Sequence, residues 1–252
     1  MTDYSIAEEY TLPSLGKVYS ENVNPVVKIK SMTTTQEMRR LAPTERAYKT
    51  ICEIIDECLV ENPGISSYDM CLADYQFLLH KLRVVTYGKD YKLEFTCPYC
   101  GSKDEATIDL DSLEVTQAAA DNYGALQEFV LPKTKKKIRI KMQTPRMIDQ
   151  ISIQSKELDK KSKGAQGDTA FLFTVEYLID TVDSEELDSI QKERFVRALP
   201  MMDTNYIMKK AQKLVESFGI QTSIERECPV CGLDYTGSFR FTKEFFGPSI
   251  DD

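Results

Sequence analysis

The sequence predicts an α+β protein, in which a helical N-terminal unit and a helical insertion are arranged around a split four-cysteine zinc ribbon with β-hairpins. Three observations predict it. The run Cys97-Pro98-Tyr99-Cys100-Gly101 recurs as Cys228-Pro229-Val230-Cys231-Gly232. Each copy is flanked by short segments that alternate apolar and polar residues, the period of a half-buried strand. Elsewhere apolar residues recur three and four apart, the period of a helix with one buried face.

The elements follow in order. Thr11 to Tyr19 contains Pro13 and Gly16, which favour an extended, turning arm over regular structure. Val26-Val27-Lys28-Ile29-Lys30 reads as a strand. Thr34-Thr35-Gln36-Glu37 matches a capping box and starts a short helix ending near Arg40. After Pro43 a longer helix is expected from near Glu45 to Val60, and Asn62-Pro63-Gly64 breaks the chain. Ser67-Tyr68-Asp69 caps a third helix, on which Leu72, Tyr75, Leu78, Leu79 and Leu82 form one apolar face that ends at Tyr87-Gly88.

Strands over 91–96 and 106–110 flank the first cysteine run, and strands over 222–226 and 235–241 flank the second. Between them, 128–131 and 137–141 form a further hairpin with a lysine-rich turn. The pattern turns helical after Thr144-Pro145, and 160–168 lacks apolar periodicity and reads as an exposed loop. The apolar run 171–179 reads as a buried helix, though its length also suits a strand. Asp183-Ser184-Glu185-Glu186 starts another helix with Leu187, Ile190, Phe195 and Leu199 inward. A last helix runs from Asp203 to Phe218 with Gly219 as its cap. The expected organisation is an arm and helical unit over 1–88, two ribbon halves over 89–127 and 220–247, and an inserted hairpin and helical subdomain over 128–219.

Paired thiols at Cys-x-x-Cys spacing grip a metal from a tight turn, and the following Gly supplies the positive φ such turns need. Cys97, Cys100, Cys228 and Cys231 are therefore expected to close one tetrahedral site. A redox dithiol normally sits at a helix N-terminus, whereas these lie between strands and come twice. Structural disulfides suit secreted chains, and nothing here is secretory. Zinc is the expected ion in a structural role, and iron on four thiolates uses similar turns.

Composition narrows the function. A formal charge of −8 over 252 residues disfavours a generic nucleic-acid binder, because phosphate affinity comes mainly from Lys and Arg. The polar start Met1-Thr2-Asp3-Tyr4 is no signal peptide, and no apolar run approaches the ~18 residues of a membrane span, so a cytoplasmic setting is expected. No serine-hydrolase elbow, phosphate loop, dinucleotide fingerprint or His-based metal site is present, so no enzyme is expected. Cys52, Cys58 and Cys71 read as buried helix thiols, and His80, the single histidine, as a packed rather than catalytic ring. Lys133, Lys135, Lys136, Lys137 and Arg139 are the one dense basic spot, a solvated turn or, in the alternative reading of a zinc-ribbon nucleic-acid or polymerase-binding factor, a phosphate patch. Phe245 and Phe246 near the end dock onto the protein's own core or onto a partner.

A resemblance adds to these readings. Leu12-Pro13-Ser14-Leu15-Gly16-Lys17-Val18-Tyr19, Val27-Lys28-Ile29-Lys30-Ser31-Met32-Thr33-Thr34, Asp74-Tyr75-Gln76-Phe77-Leu78-Leu79 and Leu82-Arg83-Val84-Val85-Thr86-Tyr87-Gly88 precede the first cysteine turn, and the Leu131-Pro132 hairpin follows it. In that order they are similar to the T4-type baseplate hub and hub-assembly proteins of contractile-tailed bacteriophages. The resemblance covers roughly the first 145 residues. It implies a non-enzymatic protein that binds other tail baseplate proteins, either within the virion or as an assembly factor in the host cytoplasm. An arm with free backbone hydrogen bonds can add to a neighbour's sheet, which makes Leu12, Leu15, Val18 and Tyr19 the expected partner contacts, together with Phe245 and Phe246.

Overall fold

A computed structural model describes residues 7–119, 123, 127–162, 168–239 and 243–246. The chain is α+β. Strand β1 (Ala7–Thr11) pairs antiparallel with β2 (Val26–Lys30), and helices α1 (Thr34–Leu41), α2 (Ala47–Cys58) and α3 (Leu72–Tyr87) follow. Strands β3 (Asp90–Thr96) and β4 (Lys103–Asp109) form the hairpin that carries the first cysteine turn. β5 (Val115–Thr116) later pairs with β9 (Gly219–Ile220). β6 (Glu128–Val130), β7 (Lys137–Ile140) and β8 (Ile179–Val182) make a three-stranded antiparallel sheet centred on β7. Helices α4 (Pro145–Ser162), α5 (Thr169–Leu178), α6 (Ser189–Ala198) and α7 (Met201–Val215) accompany that sheet. β10 (Ser223–Glu227) and β11 (Asp234–Ser238) form the hairpin that carries the second cysteine turn, and a 3₁₀ turn spans Lys243–Phe246.

Several boundaries differ from expectation for local reasons. Thr33, not Thr34, caps α1: its hydroxyl accepts from Gln36 N–H while the Gln36 side chain accepts from Thr33 N–H. Residues 171–179 are helix only to Leu178, after which the same apolar run enters β8. Asp183 and Ser184 do not start a helix but turn with positive φ, and α6 begins at Ser189 under a capping box from Asp188 and Gln191. Gly219 lies in β9 at φ +116°, packed on Ala73, while α7 ends at Val215 with Glu216 as its C-cap. Residues 163–167 of the expected loop and 240–242 of the expected last strand lie outside the described residues.

The largest correction concerns the arm. Its backbone is not free: β1 is paired along its length with β2, and Leu12 N–H donates to Pro25 O at 2.8 Å. Leu12 is wholly buried, and Phe245 and Phe246 are buried in the same apolar cluster, which also takes side chains from β2, α2 and α3. A second cluster is drawn from residues between Phe129 and Leu214. Asp149 ties α4 to the first cluster: it accepts from Tyr48 and Lys49 N–H at the start of α2 and from the Tyr68 hydroxyl. Arg46 gives α2 no side-chain cap, so Asp149 supplies one from about a hundred residues away.

Helix α3 is buried on almost every side, beyond the single face its periodicity suggests. The polar residues this requires are each answered by a different segment. Asp74 accepts from Ser14 N–H at 2.9 Å and from the Tyr19 hydroxyl at 2.6 Å. His80 Nε2 meets Leu110 O at 3.0 Å. Arg83, fully buried, donates to Phe245 O at 2.9 Å, Gly88 O at 2.7 Å and Asp90 O at 3.4 Å.

Burial, reinforced by the neighbouring Lys81 cation, pushes the His80 pKa down to about 4. The unfolded ring titrates near ~6.5. A depressed folded pKa contributes stability that is complete above the unfolded value and is lost as pH falls from 6.5 to 4, up to about 3 kcal/mol. Because the chain has one histidine, its ring proton resonances report it alone. They should titrate near pH 4, and His80→Gln should flatten that stretch of the stability curve. A midpoint near 6.5 would show the ring to be solvated.

Candidate metal centre

The two cysteine turns fold alike. In the first, Cys97 N–H donates to Ser102 O at 2.9 Å and Gly101 N–H to Cys97 O at 2.9 Å. In the second, Cys228 N–H donates to Leu233 O at 3.0 Å and Gly232 N–H to Cys228 O at 2.9 Å. Gly101 and Gly232 sit at φ +71° and +68°, in the left-handed region that a side chain disfavours. Each hairpin, closed by its ladder, thus carries a turn with two thiols pointing off the same end.

The four sulfurs converge. Cys97 Sγ lies 3.8 Å from Cys231 Sγ and Cys100 Sγ 3.7 Å from Cys228 Sγ, and all four are within 4.8 Å of one another. A tetrahedral ion with metal–sulfur bonds of ~2.3 Å spaces its sulfurs about 3.8 Å apart, whereas a disulfide needs ~2.05 Å. The close pairs also run between turns rather than within one. Cys97 and Cys228 are buried, and Cys100 and Cys231 are exposed. Among the described residues no carboxylate or imidazole joins the set, so the donors suit zinc or iron.

Ser102 is part of this site and was not anticipated. Its Oγ lies 3.0 Å from Cys100 Sγ and 3.3 Å from Cys228 Sγ. That hydroxyl first, and then the Cys231 and Val230 backbone N–H groups, draw the Cys228 pKa down to about 6. Stabilising the thiolate favours the form that binds metal. Its position directly after Gly101 was the available signal.

Among the described residues the two hairpins share no backbone ladder, and side chains join them. Phe95 and Tyr235 pack with Cys97 and Cys228 in a small cluster, flanked by Leu93, Ala106, Ile108 and Ile224. The Phe95 ring is held on one side by the Arg226 guanidinium, 4.7 Å from its centroid. A Cβ on Gly237 would lie 2.6 Å from that ring, so Phe95 rests on bare backbone. Arg226 also pairs with Asp104 across the hairpins. An isolated Gly within a strand signals such a close approach.

The other anticipated residues lie elsewhere. Leu12, Phe245 and Phe246 serve the chain's own core, Tyr19 is tied to Asp74, and Leu15 and Val18 are half-buried. The basic hairpin is answered by acids: Lys136 pairs with Asp183, Lys137 with Glu128, and Arg139 with Asp180. Its turn is held from behind by Asp203, which accepts from the N–H groups of Lys133 and Thr134. Cys52, Cys58 and Cys71 are buried, and burial pushes their thiols up.

The family model described as "T4 bacteriophage base plate protein" matches residues 4–247. No curated protein and no solved structure matches the chain. No helix among the described residues is long and apolar enough to cross a membrane.

Gly237→Ala should force the Phe95 ring aside and destabilise the protein by about 1–3 kcal/mol in a urea melt. Combining it with Phe95→Leu should recover part of that loss relative to the sum of the two single changes. Strict additivity would show that the two do not compete for one space.

Proposed function

The chain belongs to the T4 bacteriophage base plate protein family, and from that membership we propose that it builds the hub of a contractile tail baseplate by binding other tail proteins. The match over nearly the whole chain carries this reading. In it the protein is non-enzymatic, and a structural zinc ion on Cys97, Cys100, Cys228 and Cys231 closes a split ribbon formed by 89–127 and 220–247. Sulfur spacings of 3.7 and 3.8 Å support that ligand set. An apolar cluster whose buried residues all fall between Phe129 and Leu214 supports 128–219 as an inserted subdomain, with 1–88 as the unit that carries α3. Leu15 and Val18, half-buried on the arm, are the part of it left for partner contact. The acids facing Lys136, Lys137 and Arg139 weigh against a phosphate-binding patch.

A structural metal adds its binding energy to folding. Cys97→Ser and Cys228→Ser should each abolish bound metal, measured by elemental mass spectrometry, and lower Tm by about 10 °C, several kcal/mol at ~2–4 °C per kcal/mol. Retention of one ion by either variant would refute a single shared site. A colourless loaded protein indicates zinc, and visible thiolate-to-iron absorption indicates iron.

Quantitative mass spectrometry of purified tails and of assembly intermediates tests the function. Stoichiometric recovery from finished particles makes the chain a virion component. Recovery from intermediates alone makes it an assembly factor. Absence from both would overturn the baseplate role.

A further inference from the structure

The two cysteine turns carry an apolar tip. Val230 is 71% exposed, Tyr99 62% and Leu233 49%. Tyr99 and Val230 occupy the same place in the two copies of the turn, between the paired cysteines, and Leu233 follows Gly232. Since the four sulfurs lie within 4.8 Å of one another, these side chains share one end of the molecule. The ribbon's own small core is filled by Phe95 and Tyr235, so the tip residues face water. An apolar group held out on rigid turns marks a contact surface.

The strands behind the tip carry carboxylates directly opposite one another. Glu94 faces Glu105 across β3 and β4, and Glu227 faces Asp234 across β10 and β11. All four residues are exposed. Like charges at opposed positions destabilise a hairpin. Lys103 answers Glu94 at 2.7 Å, but Glu105, Glu227 and Asp234 have no ion-pair partner among the described residues. Glu227 and Asp234 adjoin Cys228 and Leu233 in sequence, so acid and apolar surface are contiguous.

We propose that this tip docks into a protein surface offering an apolar pocket rimmed by Lys and Arg. The proposal rests on the baseplate reading, in that the partner is another tail protein. Charge complementarity selects it: a basic rim relieves both opposed carboxylate pairs while the pocket covers Tyr99, Val230 and Leu233. A second copy in a two-fold contact would set carboxylates against carboxylates, and nucleic acid would set phosphates against them.

The test uses the full-length, metal-loaded chain with a photo-crosslinking residue at position 99 or 230, illuminated during tail assembly. A third probe at Ile190, 62% exposed on α6, serves as control. Crosslinks from 99 and 230 should map to a Lys/Arg-rich stretch of one other tail protein. Tyr99→Ser with Val230→Ser should reduce co-purification with tails about tenfold at unchanged Tm and metal content. Glu105→Gln with Asp234→Asn should raise the Tm of the isolated protein yet weaken that association. Crosslinks to a second copy, to nucleic acid or to an acidic or uncharged surface would overturn the proposal. Silence at 99 and 230 while position 190 crosslinks to tail proteins would overturn the tip alone. Silence everywhere, with no co-sedimentation with tails, would overturn the baseplate reading and the tip with it.

Discussion

A guanidinium removed from water must have its N–H groups answered, and Arg83 is answered by backbone carbonyls rather than by a carboxylate. That requirement organises the protein around α3. The carbonyls come from the helix's own end, from the start of the first cysteine hairpin and from the last described turn. On the same helix Asp74 gathers the N-terminal arm and His80 gathers the segment leaving that hairpin. Three polar side chains in an otherwise apolar environment therefore dictate where three remote stretches of chain must lie. Apolar packing alone is non-directional and could not specify this.

The two cysteine hairpins meet a related problem by other means. They lie 128 positions apart at Cys100 and Cys228, and among the described residues no ladder runs between them. Phe95 wedged between Gly237 and Arg226, the Asp104–Arg226 pair and the converging thiols hold them together. In the proposed function a metal ion then acts as a cross-link over that long loop, where restraint of the unfolded chain is greatest. The short β5–β9 pairing repeats the connection one step further from the tip.

How much of this was legible in the sequence depended on the range of the forces involved. The paired Cys-Pro-x-Cys-Gly runs and their alternating flanks identified both hairpins and the thiol set, because turn chemistry and strand period are local. The spacing also revealed α3 and its end at Tyr87-Gly88, but the helix starts at Leu72 behind Cys71, which gives no side-chain cap, and not under Ser67-Tyr68-Asp69. What local reading missed was tertiary. β8 continued the apolar run of α5 without a break, so nothing between Leu178 and Ile179 announced the change. The arm read as free because its partner strand lies beyond an irregular turn, and Phe245 and Phe246 gave no sign of which surface would cover them. Nothing local to Asp149 signals that it caps α2 from a distant element.

The tie from Arg83 to Phe245 O spans 162 positions. During synthesis α3 is therefore made well before Phe245, whose carbonyl is one of the three acceptors of its buried guanidinium. Until Phe245 is present that N–H group keeps its water, at the centre of the apolar cluster that Phe245 and Phe246 complete. Closure of the core around α3 is in this sense conditional on synthesis as far as Phe246. A product terminated before that point lacks both the acceptor and the two rings, which leaves the surface around α3 open to proteolysis.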